Sequence, residues 1–217
     1  MFGLFKYDGF VVQICNKIVD CICLSLLWLA SSIPIVTVGA ATTALYYAVN
    51  NSIRYDKEGF WRAYWRSFRS NFKQATLIWL LLLLIYGLLG GSCYCAYILC
   101  TNGLLAKEMF YILLILFLPV MAWANMLFPY LAKFRNSIKM ILKNCFGMGL
   151  LNLHIAILQP VFFILVVMGI SMFPMAILCA PGVYMVLSCY TLEPVFRKFM
   201  SEEDRAKEEA ILEDLKS

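Results

Sequence analysis

The chain has 217 residues, of which 63% are hydrophobic and 14% charged, with a formal net charge of +5 and a mean hydropathy of +0.80. Soluble domains run roughly 45–50% apolar and about 25% charged, and so few charges could not cover this much apolar side chain in water. A soluble enzyme, a disordered chain, a nucleic-acid binder and a secreted disulfide scaffold are thereby disfavoured. The expected class is an all-α, polytopic transmembrane helical bundle.

Charge is distributed unevenly. Residues 1–200 carry 15 Lys+Arg against 6 Asp+Glu, whereas residues 201–217 carry 3 against 7. The chain therefore divides into one transmembrane domain, 1–200, and an acidic, helical cytoplasmic tail, 201–217. The nine cysteines include no C-x-x-C pair and lie mostly in apolar runs, where free Cys behaves as a small apolar packing residue. With a single His, no metal site is expected.

A span needs about 20 mostly apolar residues. The first expected span is Ile18–Ile35. The second, Val36–Ile53, is rich in small residues from Gly39 to Ala44, as in a helix that faces protein rather than lipid; it either crosses or re-enters. The third, Ala75–Leu99, is the clearest, and its Gly87-Leu88-Leu89-Gly90-Gly91 is expected to form a close-packing face. The fourth is Met109–Leu131, the fifth Met148–Met172 and the sixth Met175–Thr191. Basic residues cluster at 54–73, at 133–143 and at Arg197–Lys198, while the other connections hold Lys107 at most. Six crossings with both termini inside place every basic cluster in the cytoplasm.

Between the second and third spans the order is highest. At about 100° per residue, Phe60, Trp61, Tyr64, Trp65, Phe68 and Phe72 share an arc of about 140°, and Arg62, Arg66, Arg69 and Lys73 lie opposite. Such a segment is expected to lie in the headgroup plane of an anionic leaflet, and Phe60, Trp61, Arg62, Trp65, Arg66, Arg69 and Lys73 are its interfacial or partner-docking residues. Ser137–Phe146, with Lys139 and Lys143, repeats the pattern before the fifth span. The shared basic-to-Phe spacing of Arg69…Phe72 and Lys143…Phe146 suggests a weak internal duplication. Asp20 and Glu193 are expected at the interface. Asn125, Asn152, His154 and Gln159 fall within spans and form a candidate intramembrane polar site, because polar groups at that depth are costly. No G-x-S-x-G, H-E-x-x-H or Gly-rich phosphate loop occurs, so no catalytic residue, metal or cofactor is assigned and no enzymatic activity is expected.

The stretch Ser32-Ile33-Pro34-Ile35-Val36-Thr37-Val38-Gly39-Ala40-Ala41-Thr42-Thr43-Ala44-Leu45-Tyr46-Tyr47, with Glu58-Gly59-Phe60, Ser70-Asn71-Phe72-Lys73-Gln74-Ala75-Thr76, Lys143-Asn144 and Leu150-Leu151-Asn152-Leu153, resembles the YesL-like family of bacterial integral membrane proteins, a domain of unknown function. The resemblance covers roughly residues 1–200 and brings no catalytic residues. It implies a multi-pass plasma-membrane protein typical of Gram-positive bacteria, one that assists or regulates an ABC-type carbohydrate uptake system by association only. Sugar transporter subunits and the anionic leaflet are then the expected partners, and nucleic acid is not. The alternative is a small-solute transporter using the polar midplane residues.

Overall fold

The computed structural model describes residues 10–55, 58–102, 107–134 and 136–200, together with positions 202, 205, 206 and 210. Among the described residues every regular element is helical: α1 Phe10–Ser31, α2 Val38–Ala48, α3 Phe60–Thr101, α4 Lys107–Lys133, α5 Ile138–Leu151, α6 Leu153–Met172 and α7 Ala180–Lys198. The four described tail positions are helical too; the rest of the acidic tail lies outside the described residues, as do Lys6 and Arg135.

Three helices are long and apolar enough to cross a membrane, namely α3, α4 from Glu108 and α6. They correspond to the third, fourth and fifth expected spans and agree with a location in a membrane. Leu84, Leu88, Ile115 and Leu165 are more than half exposed on them, which water would penalise and lipid tails do not. Pro119 and Pro129 sit inside α4 and Pro160 inside α6.

Three of the expected spans take a different form from the sequence reading. The second segment opens with a 3-10 turn, Ile35–Thr37, forms the 11-residue α2, and then widens into a π-helical turn, Val49–Arg54. Its small residues Ala40, Ala41 and Ala44 are wholly buried, so it does face protein. The fifth span is not continuous from Met148, because the helix breaks at Asn152, where φ is −127° and ψ 54°. The sixth is a 3-10 turn, Pro174–Leu178, followed by α7, with Pro181 in the first turn, where its missing N–H costs nothing.

The largest correction concerns the basic aromatic segment. It is the start of the 42-residue α3, one helix with the third span, and it does not form a separate helix in the headgroup plane. At 1.5 Å per residue α3 rises about 63 Å, twice a hydrocarbon core of about 30 Å, so its charged turns continue the span outward as a stem. The reason is packing. Tyr64 is wholly buried, and Phe60, Trp65 and Phe68 are half-buried against the same core, so the aromatic face is covered by α2 and its neighbours instead of by lipid. The two halves of the suspected duplication therefore differ: the basic segment runs unbroken into its span in α3 and is broken from it at Asn152 between α5 and α6.

Side-chain hydrogen bonds join the elements at the compact end. Trp28 Nε1 donates to Thr42 Oγ1 at 3.2 Å, linking α1 to α2. Ser31 and Tyr64 share a hydrogen bond of 2.5 Å, linking α1 to α3. Trp79 Nε1 donates to Ile35 O at 2.7 Å. Close backbone approach occurs at Gly39, where an added Cβ would lie 2.6 Å from Ala75 O, and at Gly182, where it would lie 2.6 Å from Ser25 Oγ and Cys21 Sγ. Gly87, Gly90 and Gly91 have nothing within 4 Å of that position. The close-packing face expected there is absent within the described residues, and the glycines that do this lie on α2 and α7.

Candidate functional site

The compact end holds an ion cluster built from three helices. Glu193 lies on α7, one residue before Pro194, where the sequence places it at the interface; in the fold it is 0% exposed. The reason for the difference is that α2 and α4 close over this turn of α7. Lys133 Nζ, from the last turn of α4, donates to Glu193 Oε1. Tyr46 OH, from α2, donates to Oε2 at 3.1 Å. Arg54 Nη1 stands 3.9 Å from Oε2 and donates to Cys189 O at 3.2 Å. The π-helical turn Val49–Arg54 carries that guanidinium back toward α7, over the rings of Tyr55 and Tyr190. Around this cluster Phe196 meets Tyr46, Tyr130 and Phe134 edge-on, with centroids 6.0–6.4 Å apart.

A carboxylate held by an ammonium, a guanidinium and a phenol is fully satisfied, and it fixes α2, α4 and α7 to one another. The buried Cys189 thiol lies beside it, with Sγ directed at Tyr46 O at 3.9 Å, and the role the arrangement supports is positioning the helices. Sequence reasoning missed the cluster, although one signal was present: Glu193 is the only acidic residue between Glu108 and Glu202. Asp20 is half-buried on α1.

Outside this cluster α3 presents its cations. Arg62, Arg66, Arg69 and Lys73 are all exposed, as is Trp61. Arg66 pairs with Glu58 and with Tyr47 OH, its guanidinium lying 5.4 Å from the Tyr47 ring centroid. Tyr64 pins the opposite side of the same turns; burial pushes its phenol up to about 12 against the opposing pull of the Ser31 hydrogen bond, so it remains a neutral hydroxyl. A ladder of rings from Trp61 through Trp65 and Phe68 to Phe72, at 5.5–6.1 Å between centroids, stiffens this face. On α5, Ile141 and Cys145 are buried and Lys139 and Lys143 exposed, as the periodicity predicts, but Phe146 is exposed at the edge of an apolar cleft with Trp123.

Among the described residues no hydrogen bond joins the four polar residues expected to line one site. Gln159 is wholly buried between α6 and α7; its Nε2 donates to Thr191 Oγ1 at 2.8 Å, and its Oε1 accepts from Ser188 Oγ at 2.9 Å and Tyr184 OH at 3.4 Å. Asn152 caps the break between α5 and α6, with Nδ2 donating to Met148 O at 3.1 Å and its carbonyl accepting from Ile155 N and Ala156 N. His154 is exposed on the first turn of α6. Asn125 lies on α4, and its Nδ2 has no hydrogen-bond partner among the described residues. The cleft of about 520 Å³ between α4, α5 and α6 is lined by apolar groups such as Pro119, Trp123 and Pro160, and by none of these four residues.

Comparison with curated proteins finds no match, and comparison with solved structures finds none. The family described as "Protein of unknown function, DUF624" matches residues 21–91, from within α1 through α2 and about three quarters of α3. The chain is thus similar to an uncharacterised domain family over a segment that supplies about half of the buried core.

Proposed function

We propose that this chain is a non-enzymatic bacterial plasma-membrane protein that assists or regulates an ABC-type carbohydrate uptake system, with the cationic face of α3 as its contact surface. The observation that carries the contact surface is the stem: Phe60–Lys73 extends the spanning part of α3 by about 21 Å, with Tyr64 and Phe68 held by the core and Arg62 and Trp61 facing outward. A rigid, uncovered row of cations suits a protein partner better than a loose basic loop does, because little ordering is needed on binding. The sugar-uptake partner rests on the family resemblance of the N-terminal motifs. That Asn152 and Gln159 are engaged in separate hydrogen bonds and that the apolar cleft takes none of Asn125, Asn152, His154 and Gln159 supports the accessory reading over a transporter with one midplane site.

In the same reading the basic loops and the acidic tail face the cytoplasm. Six crossings are the fullest count. The 11 residues of α2 rise about 16 Å, half the hydrocarbon core, which supports re-entry of residues 36–53.

Purification in mild detergent tests the proposal, with photo-crosslinking from position 61 to identify the neighbour. Transporter subunits are expected to accompany the wild-type chain, and Arg62→Glu is expected to weaken their recovery and slow sugar uptake. If no transporter subunit accompanies the protein and Arg62→Glu leaves uptake intact, the proposal fails.

A further inference from the structure

Two helices independently mark the edge of the apolar zone. α3 carries no charged residue from Gln74 to Thr101, and α4 none from Met109 to Ala132. They run antiparallel, with Trp79 against Phe128, Tyr86 against Phe117 and Tyr97 against Phe110 at centroid distances of 6.2, 5.5 and 6.2 Å. That register sets Lys73 level with Lys133, so both charge-free stretches start at one plane, where the headgroups of a bilayer would lie.

At this plane a groove of about 920 Å³ opens between α3 and the turn that enters α5. Arg69 and Lys73, one helical turn apart, line one wall beside Phe68 and Phe72; Asn136 and Ser137 line the other. Among the described residues no carboxylate lines the groove and none pairs with Arg69 or Lys73, whereas Lys133 is committed to Glu193 and Arg66 to Glu58. Hydrogen bonds fix the neighbouring amides, from Asn136 Nδ2 to Tyr130 OH at 2.8 Å and from Asn71 Nδ2 to Ser67 Oγ at 3.2 Å. Along the same side of α3 the two cations are followed at helical spacing by Leu77, Leu80, Leu84 and Leu88, which are 56%, 44%, 61% and 66% exposed. A cationic pair thus tops an uncovered apolar track.

We propose that this groove is a binding site for an anionic phospholipid, whose phosphate bridges Arg69 and Lys73 while an acyl chain follows the leucine track. A soluble phosphate would use the cations and leave the track bare; a phospholipid uses both. Basic pockets beside spanning helices hold anionic headgroups for this reason. The site does not depend on the partner-docking reading, which is tested at Arg62, so either can fail alone.

The test is native mass spectrometry of the detergent-solubilised full chain, mixed with phosphatidylglycerol or phosphatidylcholine of identical acyl chains. Phosphatidylglycerol is expected to be retained at least tenfold more strongly. Arg69→Gln with Lys73→Gln is expected to weaken that retention about 30-fold, at about fivefold per cation, while Lys139→Gln, outside the groove, leaves it unchanged. Raising salt from about 0.15 M to about 1 M, which shortens the screening length from about 8 to about 3 Å, is expected to erode the preference in the wild-type chain, a readout that needs no variant. Equal retention of the two lipids by the wild-type chain, or undiminished retention by a folded double variant, overturns the proposal. Displacement of phosphatidylglycerol by glycerol phosphate at equal concentration also overturns it, by assigning the groove to a soluble phosphate.

Discussion

At the basic end of the molecule Tyr46, Tyr64 and Phe196 are at most 1% exposed, whereas farther along the charge-free stretches of α3 and α4 Leu88, Tyr94 and Ile115 are 65–66% exposed. The same kind of apolar side chain is covered by protein in one region and left bare in the other. Where the chain meets water it must bury its own rings, and it does so by wrapping α2 and α7 around the ends of α3 and α4. Where lipid is the solvent there is no hydrophobic gain in covering a leucine with another leucine, so long helices suffice with only ring contacts such as Tyr86 against Phe117. Stability should therefore be concentrated in the basic end, and substitutions there should cost far more than equivalent ones along the spans.

The largest expected effect is at Glu193. Glu193→Ala leaves Lys133 and Arg54 without their anion in a buried setting, which costs about 3–5 kcal/mol. Thermal unfolding in detergent should show a large fall in Tm, and an unchanged Tm would mean that the cluster does not hold the three helices together. Smaller but more diagnostic is a glycine contrast. Gly39→Ala and Gly182→Ala place a Cβ 2.6 Å from Ala75 O and from Ser25 Oγ respectively, an overpacking expected to cost about 1–3 kcal/mol. Gly87→Ala and Gly91→Ala meet nothing within 4 Å and should gain up to about 1 kcal/mol through helix propensity. Equal losses in both pairs would show that the span glycines are covered after all, for instance by a second copy of the chain. The smallest effect is at Gln159, whose replacement by Leu strands the hydroxyls of Ser188 and Tyr184. Interhelical hydrogen bonds in membrane proteins average about 0.6 kcal/mol, so a loss of about 1 kcal/mol in unfolding free energy is expected, placing α6–α7 between the two regimes.

Particular residues show how far the sequence could be read. The third and fourth spans were legible because charge vanishes from Gln74 to Thr101 and from Met109 to Ala132, and length with apolarity is all that lipid asks of a helix. The segregation of Phe60, Tyr64 and Phe68 from Arg62, Arg66 and Arg69 was legible too, since a 3.6-residue period is a local property. The period reports that a face is apolar and says nothing of what covers it: lipid was the expected cover, and α2 with the core around it is the actual one. Phe72 and Trp61, counted on the same face, remain exposed because that cover does not reach them. Polar residues misled in the same way. Asn152 and Gln159 looked alike as intramembrane amides, yet one terminates a helix and the other ties α6 to α7.

By itself the sequence determined the helical class, the two clearest stretches long and apolar enough to cross a membrane, and the side of each amphipathic helix that is apolar. All of these follow from composition and from spacings of a few residues. Only the tertiary structure decided that α3 is a single helix of 42 residues, that Val36–Ile53 folds as a short buried helix with a π-helical turn, and that Glu193 meets Tyr46, Arg54 and Lys133. Those partners lie 147, 139 and 60 positions away along the chain, and no local pattern encodes a contact whose energy depends on which helix closes over which.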